Sequence, residues 1–166
     1  MKNKGETVTE VQMVAFKLDE EEFAVDIHQV REVLKMAVVT PLPQSASFIE
    51  GVINLRGEII PVIDLRKRFE LSEWERNEQT RIIIVEIRDS YVGLIVDSVT
   101  EVLRFTSANI QPPPSKVAGT RTDLIEGVGK IGERLLIILN LEKILTSEEK
   151  IALDDIIIEE HQTPAI

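Results

Sequence analysis

The sequence predicts a mainly β protein made of two small barrels, and three observations support this fold class. Hydrophobic residues make up 43% of the 166 residues but aromatic residues only 4%, so Ile, Val and Leu must fill the core, a composition that favours strands. Apolar and polar side chains alternate along several segments, the period of a half-buried strand. Two blocks of sequence recur at fixed offsets, which indicates a duplicated unit.

The first half of the chain begins with polar residues and continues with short strands. Its predicted strands have apolar residues at alternate positions and cover 12–18, 22–27 and 30–35, the last as a strand or turn segment. Pro41 and Pro43 end this run, because proline cannot donate a hydrogen bond to a strand ladder. One helical turn is predicted over 45–50.

A β-hairpin is predicted next, around a short polar break. Apolar, largely β-branched runs at 52–53 and 59–65 flank residues 54–58, where Gly57 can adopt a positive φ at little cost. Such a turn would lift Arg56 clear of the sheet, which suits a docking contact. An arginine in a hairpin turn is also an ordinary solvated residue, so both interpretations stay open at this point.

The second half of the chain repeats the pattern of short apolar strands. Its predicted strands cover 82–87, 91–96, 99–105, 127–131 and 135–139, the last two forming a hairpin. Short helices are predicted over 65–69, over 73–78 and from about 147 to 160, the latter two from Ser/Thr-x-x-Glu capping boxes. The triple proline at 112–114 predicts a stiff extended connection, and 115–123 a polar loop.

An internal repeat relates the two halves. Residues 12–35 align without a gap on 81–104 at an offset of 69, and residues 49–69 align on 125–145 at an offset of 76. The tetrapeptide IEGV recurs at the start of the second block. Strands rich in Ile and Val can align by chance, but here the register and the tetrapeptide agree.

The repeat predicts one domain over 11–146, built from intertwined units of about 12–69 and 81–145. Each unit is too small for a comfortable core of its own, so two barrels that share a core are expected. Residues 1–10 are predicted to be flexible, and 147–166 to form a helix and tail. Arg56 has no counterpart at its own position in the second unit, which suggests that the two halves differ in function there.

Composition excludes several functional classes. The net charge of −10 leaves no basic face for nucleic acid, and no run reaches the roughly 18 apolar residues of a membrane span. The chain has no cysteine, so disulfides, thiol catalysis and cysteine–zinc sites are ruled out. We therefore expect a soluble, cytoplasmic protein.

The sequence carries no recognisable catalytic pattern. His28 and His161 form no cluster, and neither a phosphate-binding glycine loop nor a serine nucleophile elbow is present. Asp64 and Asp97 could be paired acids, but Asp64 is better explained as the cap of the helix that follows it. The acidic run at 19–22 is a solvated turn, with a weak cation site as the alternative. No enzyme, cofactor or metal is predicted.

Several long motifs resemble the CheW family of chemotaxis coupling proteins. The most specific are GVINLRG (51–57), PVIDLR (61–66) and VGLIVDSVTEVL (92–103), and the likeness covers about residues 11–150. The resemblance implies two SH3-like five-stranded barrels and a non-catalytic adaptor of two-component signal transduction. It also implies two partners: the cytoplasmic domain of chemoreceptors (methyl-accepting chemotaxis proteins) and the regulatory domain of the chemotaxis histidine kinase, in arrays beneath the inner membrane.

The resemblance also implies a receptor-facing surface. Its residues map onto Val30, Arg56, Gly51 and Arg81, with Ile27 and Glu32 added by proximity. A receptor helix would lie in an apolar groove between the barrels, with Arg56 pairing to an acidic group at its rim. On the residues alone, Val30 is better explained as plain core.

Some expectations stay open within this resemblance. The kinase-facing surface cannot be mapped to single residues, and Lys116 stands where some relatives carry an aromatic residue after the proline run. A piece of a larger kinase, a receiver-fused coupling protein and a self-assembling barrel are the alternative binding or structural roles. A hydrolase using the carboxylates is the alternative enzyme, and turnover of common esters, phosphates or glycosides would reveal it.

Overall fold

A computed structural model of the chain describes residues 8–43, 46–72, 75–113 and 122–145. Short strands dominate these residues: β1 (Glu10–Leu18), β2 (Glu21–Asp26), β3 (Val30–Lys35), β4 (Ile49–Leu55), β5 (Glu58–Asp64), β6 (Arg81–Ile87), β7 (Ser90–Val96), β8 (Ser98–Thr106), β9 (Ile110–Gln111), β10 (Ile125–Ile131) and β11 (Arg134–Leu139). Two single-turn helices are α1 (Leu65–Arg68) and α2 (Leu141–Ile144), and 3-10 turns cover Ile27–Gln29, Ser107–Asn109 and Thr122–Leu124. Every strand predicted from periodicity is present.

The strands form two sheets that each draw on both repeat units. The first runs in the order β3-β6-β7-β5-β4, and the second in the order β8-β1-β2-β11-β10-β9. We call the sheet that carries the β4–β5 hairpin the first barrel. The sheet that carries the β10–β11 hairpin is the second barrel. Neither repeat unit builds a barrel by itself. The second sheet has a sixth, two-residue strand, β9, beyond the five predicted.

The pairing registers follow the two sequence offsets. Val30 of β3 pairs with Val85 of β6, and Val99 of β8 pairs with Phe16 of β1. A bulge skips the residue after Val30 in one sheet and the residue after Val99 in the other. The two barrels are therefore related by a pseudo-two-fold repeat down to their irregularities, since bulges mark defined positions in a fold.

The largest hydrophobic cluster draws on both sheets and lies where the barrels meet; we call it the inter-barrel core. Phe16, Leu18, Ile83 and Leu94 are fully buried in it. Two smaller clusters each belong to one sheet and fill the interior of one barrel. Alternate residues of a strand face opposite sides of its sheet, so one strand supplies both its barrel interior and the shared core.

The helical turn predicted over 45–50 is wrong within the residues that the structure describes. The Ile49 amide donates to the Ala46 carbonyl at 3.0 Å and closes a single turn, and β4 already begins at Ile49. Ile49 pairs with Ile63 in the β4–β5 ladder. The β-branched side chain therefore follows its strand preference.

The helix predicted over 73–78 is also wrong, since residues 75–78 have no helical structure. The Asn77 amide instead donates to Thr80 Oγ1 at 3.0 Å and forms a local turn. A capping box cannot sustain so short a helix without an apolar face to pack. The predicted helix over 147–160, the fraying at Pro164 and most of the 115–123 loop lie outside the described residues.

Candidate partner-binding surface

The tip of the β4–β5 hairpin presents Arg56 on a two-residue turn. Arg56 and Gly57 have φ of 51° and 88°, as a type I′ turn requires, and the Gly57 amide donates to Asn54 Oδ1 at 2.8 Å. The positive φ predicted for Gly57 is confirmed, whereas that of Arg56 was not foreseen. The Arg56 side chain is 63% exposed, so the turn does hold a cation in solvent.

The guanidinium of Arg56 forms an ion pair with Glu32 of β3. Glu32 had been added to the candidate residues only by proximity, and the fold brings it into direct contact with Arg56. Arg31, the residue before it, reaches Glu58 on the other side of the same hairpin turn, at 3.3 Å. Sequence reasoning missed Arg31 and Glu58. They are far apart in the chain and meet only because the barrel brings β3 next to the hairpin tip, which no spacing pattern predicts.

Val30 and Ile27 are half-buried at the edge of the inter-barrel core. Both pack against that core, Ile27 from the 3-10 turn and Val30 from the first position of β3. Val30 therefore combines the two interpretations made from the sequence: part of its side chain is core and part is accessible. His28 between them is exposed and lies 2.9 Å from Asp26 through its Nδ1 atom.

Exposed valines lie on both edge strands, β3 and β8. Val33 of β3 is 41% exposed and Val102 of β8 is 52% exposed. Each lies directly opposite a residue of the inter-barrel core in its ladder, and directly opposite residues share a face of the sheet. We call Val30, Val33, Val99 and Val102 the valine border. The sequence signal for its last two members was the repeat itself, since the offset of 69 carries Val30 to Val99 and Val33 to Val102.

Gly51 and Arg81 lie apart from this group. Gly51 is buried, and a Cβ atom there would meet the Thr40 carbonyl oxygen at 2.0 Å, so its glycine permits a close backbone approach. Arg81 pairs with Lys35, at the opposite end of β3 from Val30. Its guanidinium donates to the carbonyls of Glu78 and Thr80 at 2.8 and 2.9 Å. The fold thus groups Val30, Glu32 and Arg56 but not these two residues.

A largely buried charge network, centred on Arg66 of α1, connects the two barrels. The Arg66 guanidinium donates to both carboxylate oxygens of Asp97 at 2.8 and 2.9 Å and also pairs with Asp19 of the β1–β2 turn. The hydrogen bond to Asp97 raises the pKa of Arg66. The Asp64 carboxylate accepts from the Arg66 amide at 2.9 Å, which confirms its prediction as a helix cap. Neither Asp64 nor Asp97 is available as a paired acid.

A polar cavity of about 450 Å³ lies beside this network. Its walls carry charges of both signs, from Glu50, Asp64, Arg66, Lys67, Glu75 and Arg76, and Leu71 completes the lining. Burial opposes ionisation of Glu50, but its pairs with Lys67 and Arg76 outweigh this and lower its pKa. Ion pairs within the lining join Glu50 to Lys67 and Arg76, and Asp64 to Arg76. Across the described residues, no group of three or more His, Asp or Glu side chains is placed to hold a metal ion.

Comparison with known proteins gives a consistent result. The family model described as CheW-like domain matches residues 12–149. The chain is 38% identical to the chemotaxis protein CheW of Klebsiella aerogenes, over 92% of this chain and 91% of that protein. It is also 38% identical to the chemotaxis protein CheW of Bacillus subtilis, over 87% of this chain and 92% of that protein.

A solved structure agrees with the sequence relatives. The crystal structure of the scaffolding protein TtCheW from Thermoanaerobacter tengcongensis superimposes with a TM-score of 0.80 and 41% identity, covering 85% of this chain and 96% of that one. Of the helices within the described ranges, none has the length and apolar character needed to cross a membrane. The fold, the family model and the relatives agree, and the chain belongs to the CheW family.

Proposed function

We propose that the chain is a non-catalytic adaptor of the cytoplasm, which joins the cytoplasmic tips of chemoreceptors to the regulatory domain of the chemotaxis histidine kinase. Its place of action is the receptor array at the inner face of the membrane. Membership of the CheW family supports this role, and so does the likeness to a solved protein named as a scaffolding protein.

The receptor-facing surface is the valine border together with Arg56. A receptor helix lays its apolar face on the valines, and aliphatic anchors of this kind supply most of the contact energy in a helix-in-groove complex. The guanidinium of Arg56 pairs with a carboxylate on the helix and fixes its register. The observation that carries this proposal is the exposed Arg56 side chain, held on a rigid turn and bonded to Glu32 of the strand that carries Val30 and Val33.

The other candidate residues act differently within the same proposal. Ile27 supports Val30 from the inter-barrel core, and Gly51 supports the hairpin by allowing β4 to approach Thr40. Arg81 extends the surface to the far end of β3. The kinase docks barrel end to barrel end.

Co-sedimentation with receptor cytoplasmic fragments and the kinase, with kinase activity read in the same samples, tests the proposal. The wild-type chain should sediment with the receptor assemblies and raise kinase activity. Arg56→Glu should lose both effects. Lys130→Glu is the matched control, since it reverses an exposed cation on the equivalent hairpin of the second barrel and should behave as the wild type. If wild-type protein neither sediments nor changes kinase activity, the adaptor role is wrong.

A further inference from the structure

Among the residues that the structure describes, the last backbone hydrogen bonds between the β4–β5 hairpin and the rest of the first barrel lie several residues before the hairpin tip. On the β4 side, the tie is the pair of hydrogen bonds between Thr40 and Val52, both 2.8 Å long. Towards β7, the ladder of β5 begins only at Val62, which pairs with Gly93. Arg56 stands four residues past Val52, about 13 Å at the usual rise of a strand. Ladder hydrogen bonds alone therefore leave the direction of the tip unfixed.

Side chains from β3 complete the closure of the barrel at the tip. Glu32 pairs with Arg56, and Arg31 Nη1 lies 3.3 and 3.5 Å from the two carboxylate oxygens of Glu58. Successive residues of a regular strand face opposite ways, but the bulge at Arg31 breaks that alternation. Both neighbouring side chains can therefore reach the same hairpin.

Arg31 is itself anchored by an aromatic ring. Its guanidinium carbon lies 4.2 Å from the centroid of the Tyr91 ring, within the range of a cation–π contact. Tyr91 belongs to β7 and packs against the interior cluster of the first barrel. Tyr91, Arg31 and Glu58 thus form a continuous brace from the barrel wall to the residue that follows the turn.

The second barrel also ties its own hairpin tip to its wall, through two of the three equivalent positions and with different chemistry. The offsets carry Tyr91, Arg31 and Glu58 onto Glu22, Thr100 and Arg134. There the cation is on the hairpin, and Arg134 donates to Glu22 at 3.1 and 2.8 Å and also pairs with Glu101. A contact between the barrel wall and the residue after the hairpin turn therefore occurs in both barrels, although the residues differ. This recurrence indicates that the contact has a structural role.

We propose that Arg31 is a positioning residue for Arg56: through Tyr91 and Glu58 it holds the hairpin tip in the direction that presents the Arg56 guanidinium to a receptor helix. Arg31 itself does not touch the partner. The inference rests on the proposed function. The turn conformation fixes the Arg56 backbone relative to the hairpin tip. The direction of the Arg56 side chain therefore depends on the orientation of the tip.

Binding to receptor cytoplasmic fragments by co-sedimentation, read as an affinity, tests the role in the full chain. Arg31→Ala should weaken binding about three- to tenfold, in the lower part of the range for coupling between residues in one contact network. Tyr91→Ala should do the same, while Tyr91→Phe, which keeps the ring, should bind as the wild type. In an Arg56→Ala background, Arg31→Ala should cause no further loss. Additive losses would overturn the proposal, because Arg31 would then contact the partner directly.

Amide hydrogen exchange separates this inference from the proposed function, because it needs no partner. Exchange at Arg56 and Gly57 should quicken in Arg31→Ala, with the urea midpoint of global unfolding unchanged. Unchanged exchange in a folded variant would overturn the brace even if the receptor binds. If instead wild-type protein fails to bind receptor fragments while exchange quickens in Arg31→Ala, the brace exists and the adaptor role is wrong.

Discussion

Arg56 and Gly132 occupy equivalent positions at the tips of the two hairpins, and both have a positive φ, of 51° and 60°. Glycine adopts this conformation freely, whereas for arginine it costs roughly 1 kcal/mol or more. The first barrel keeps an unfavourable residue where the second has the favourable one. We expect such local strain where a side chain is needed for function.

Arg56→Gly should separate stability from binding. Relief of the backbone strain and loss of the exposed pair with Glu32 oppose each other, so the free energy of unfolding should change by less than about 1 kcal/mol. Affinity for receptor cytoplasmic fragments should fall about tenfold or more, the scale of a charge-assisted hydrogen bond. Urea unfolding and co-sedimentation of the same preparation measure the two effects. A variant that binds normally would show that the guanidinium is dispensable.

Val102→Asp should reduce receptor binding while leaving the fold intact. Val102 is 52% exposed, so the change in unfolding free energy should stay within about 0.5 kcal/mol. Val30→Asp is the companion variant; because Val30 packs against the inter-barrel core, it should lower stability by about 1–3 kcal/mol as well as binding. Thermal melts and pull-down distinguish the two. Normal pull-down by Val102→Asp would remove β8 from the receptor-facing surface.

Asp97→Asn should destabilise the chain by about 3 kcal/mol, because it leaves the buried Arg66 guanidinium without its main counter-charge. The expected loss is at the lower end of the range for broken buried pairs, since Asp19 still contacts Arg66. Urea denaturation measures it. Asp89→Asn, at an exposed turn position with φ of 64° that Asn tolerates, is the control and should stay near wild type. Equal stability of the two variants would contradict the network's importance.

The Glu22–Arg134 pair should make stability depend on acid pH. The hydrogen bond from Arg134 holds the pKa of Glu22 below its ordinary value of 4.5. A carboxylate with a lowered folded-state pKa contributes fully above the unfolded value and loses that contribution as pH falls through the folded one. Wild type should therefore exceed Glu22→Gln in urea stability at about pH 6, and the gap should narrow at about pH 3.5. A gap that stays constant with pH would mean that Glu22 stabilises through packing alone.

Local sequence patterns predicted the strands well and the short helices less well. Alternation identified the strands with one exposed side, and a continuous apolar run identified 82–87, whose two sides face the barrel interior and the inter-barrel core. The turn at 46–49 is not a helix because β4 already begins at Ile49, and the segment 75–78 is not a helix because it has no apolar face to pack. The Asp64 cap succeeded because a cap is a contact between near neighbours in sequence.

The sequence by itself determined the strand content, the duplication, the hairpin that carries Arg56 and the membership of the CheW family. Each of these follows from the order and spacing of residue types along the chain. Only the tertiary structure decided that each barrel takes strands from both repeats, that Glu32 meets Arg56, and that Arg31 bridges Tyr91 to Glu58. Those relations depend on which strands become neighbours. Burial of one shared core sets that choice, and residues far apart in sequence meet as its consequence.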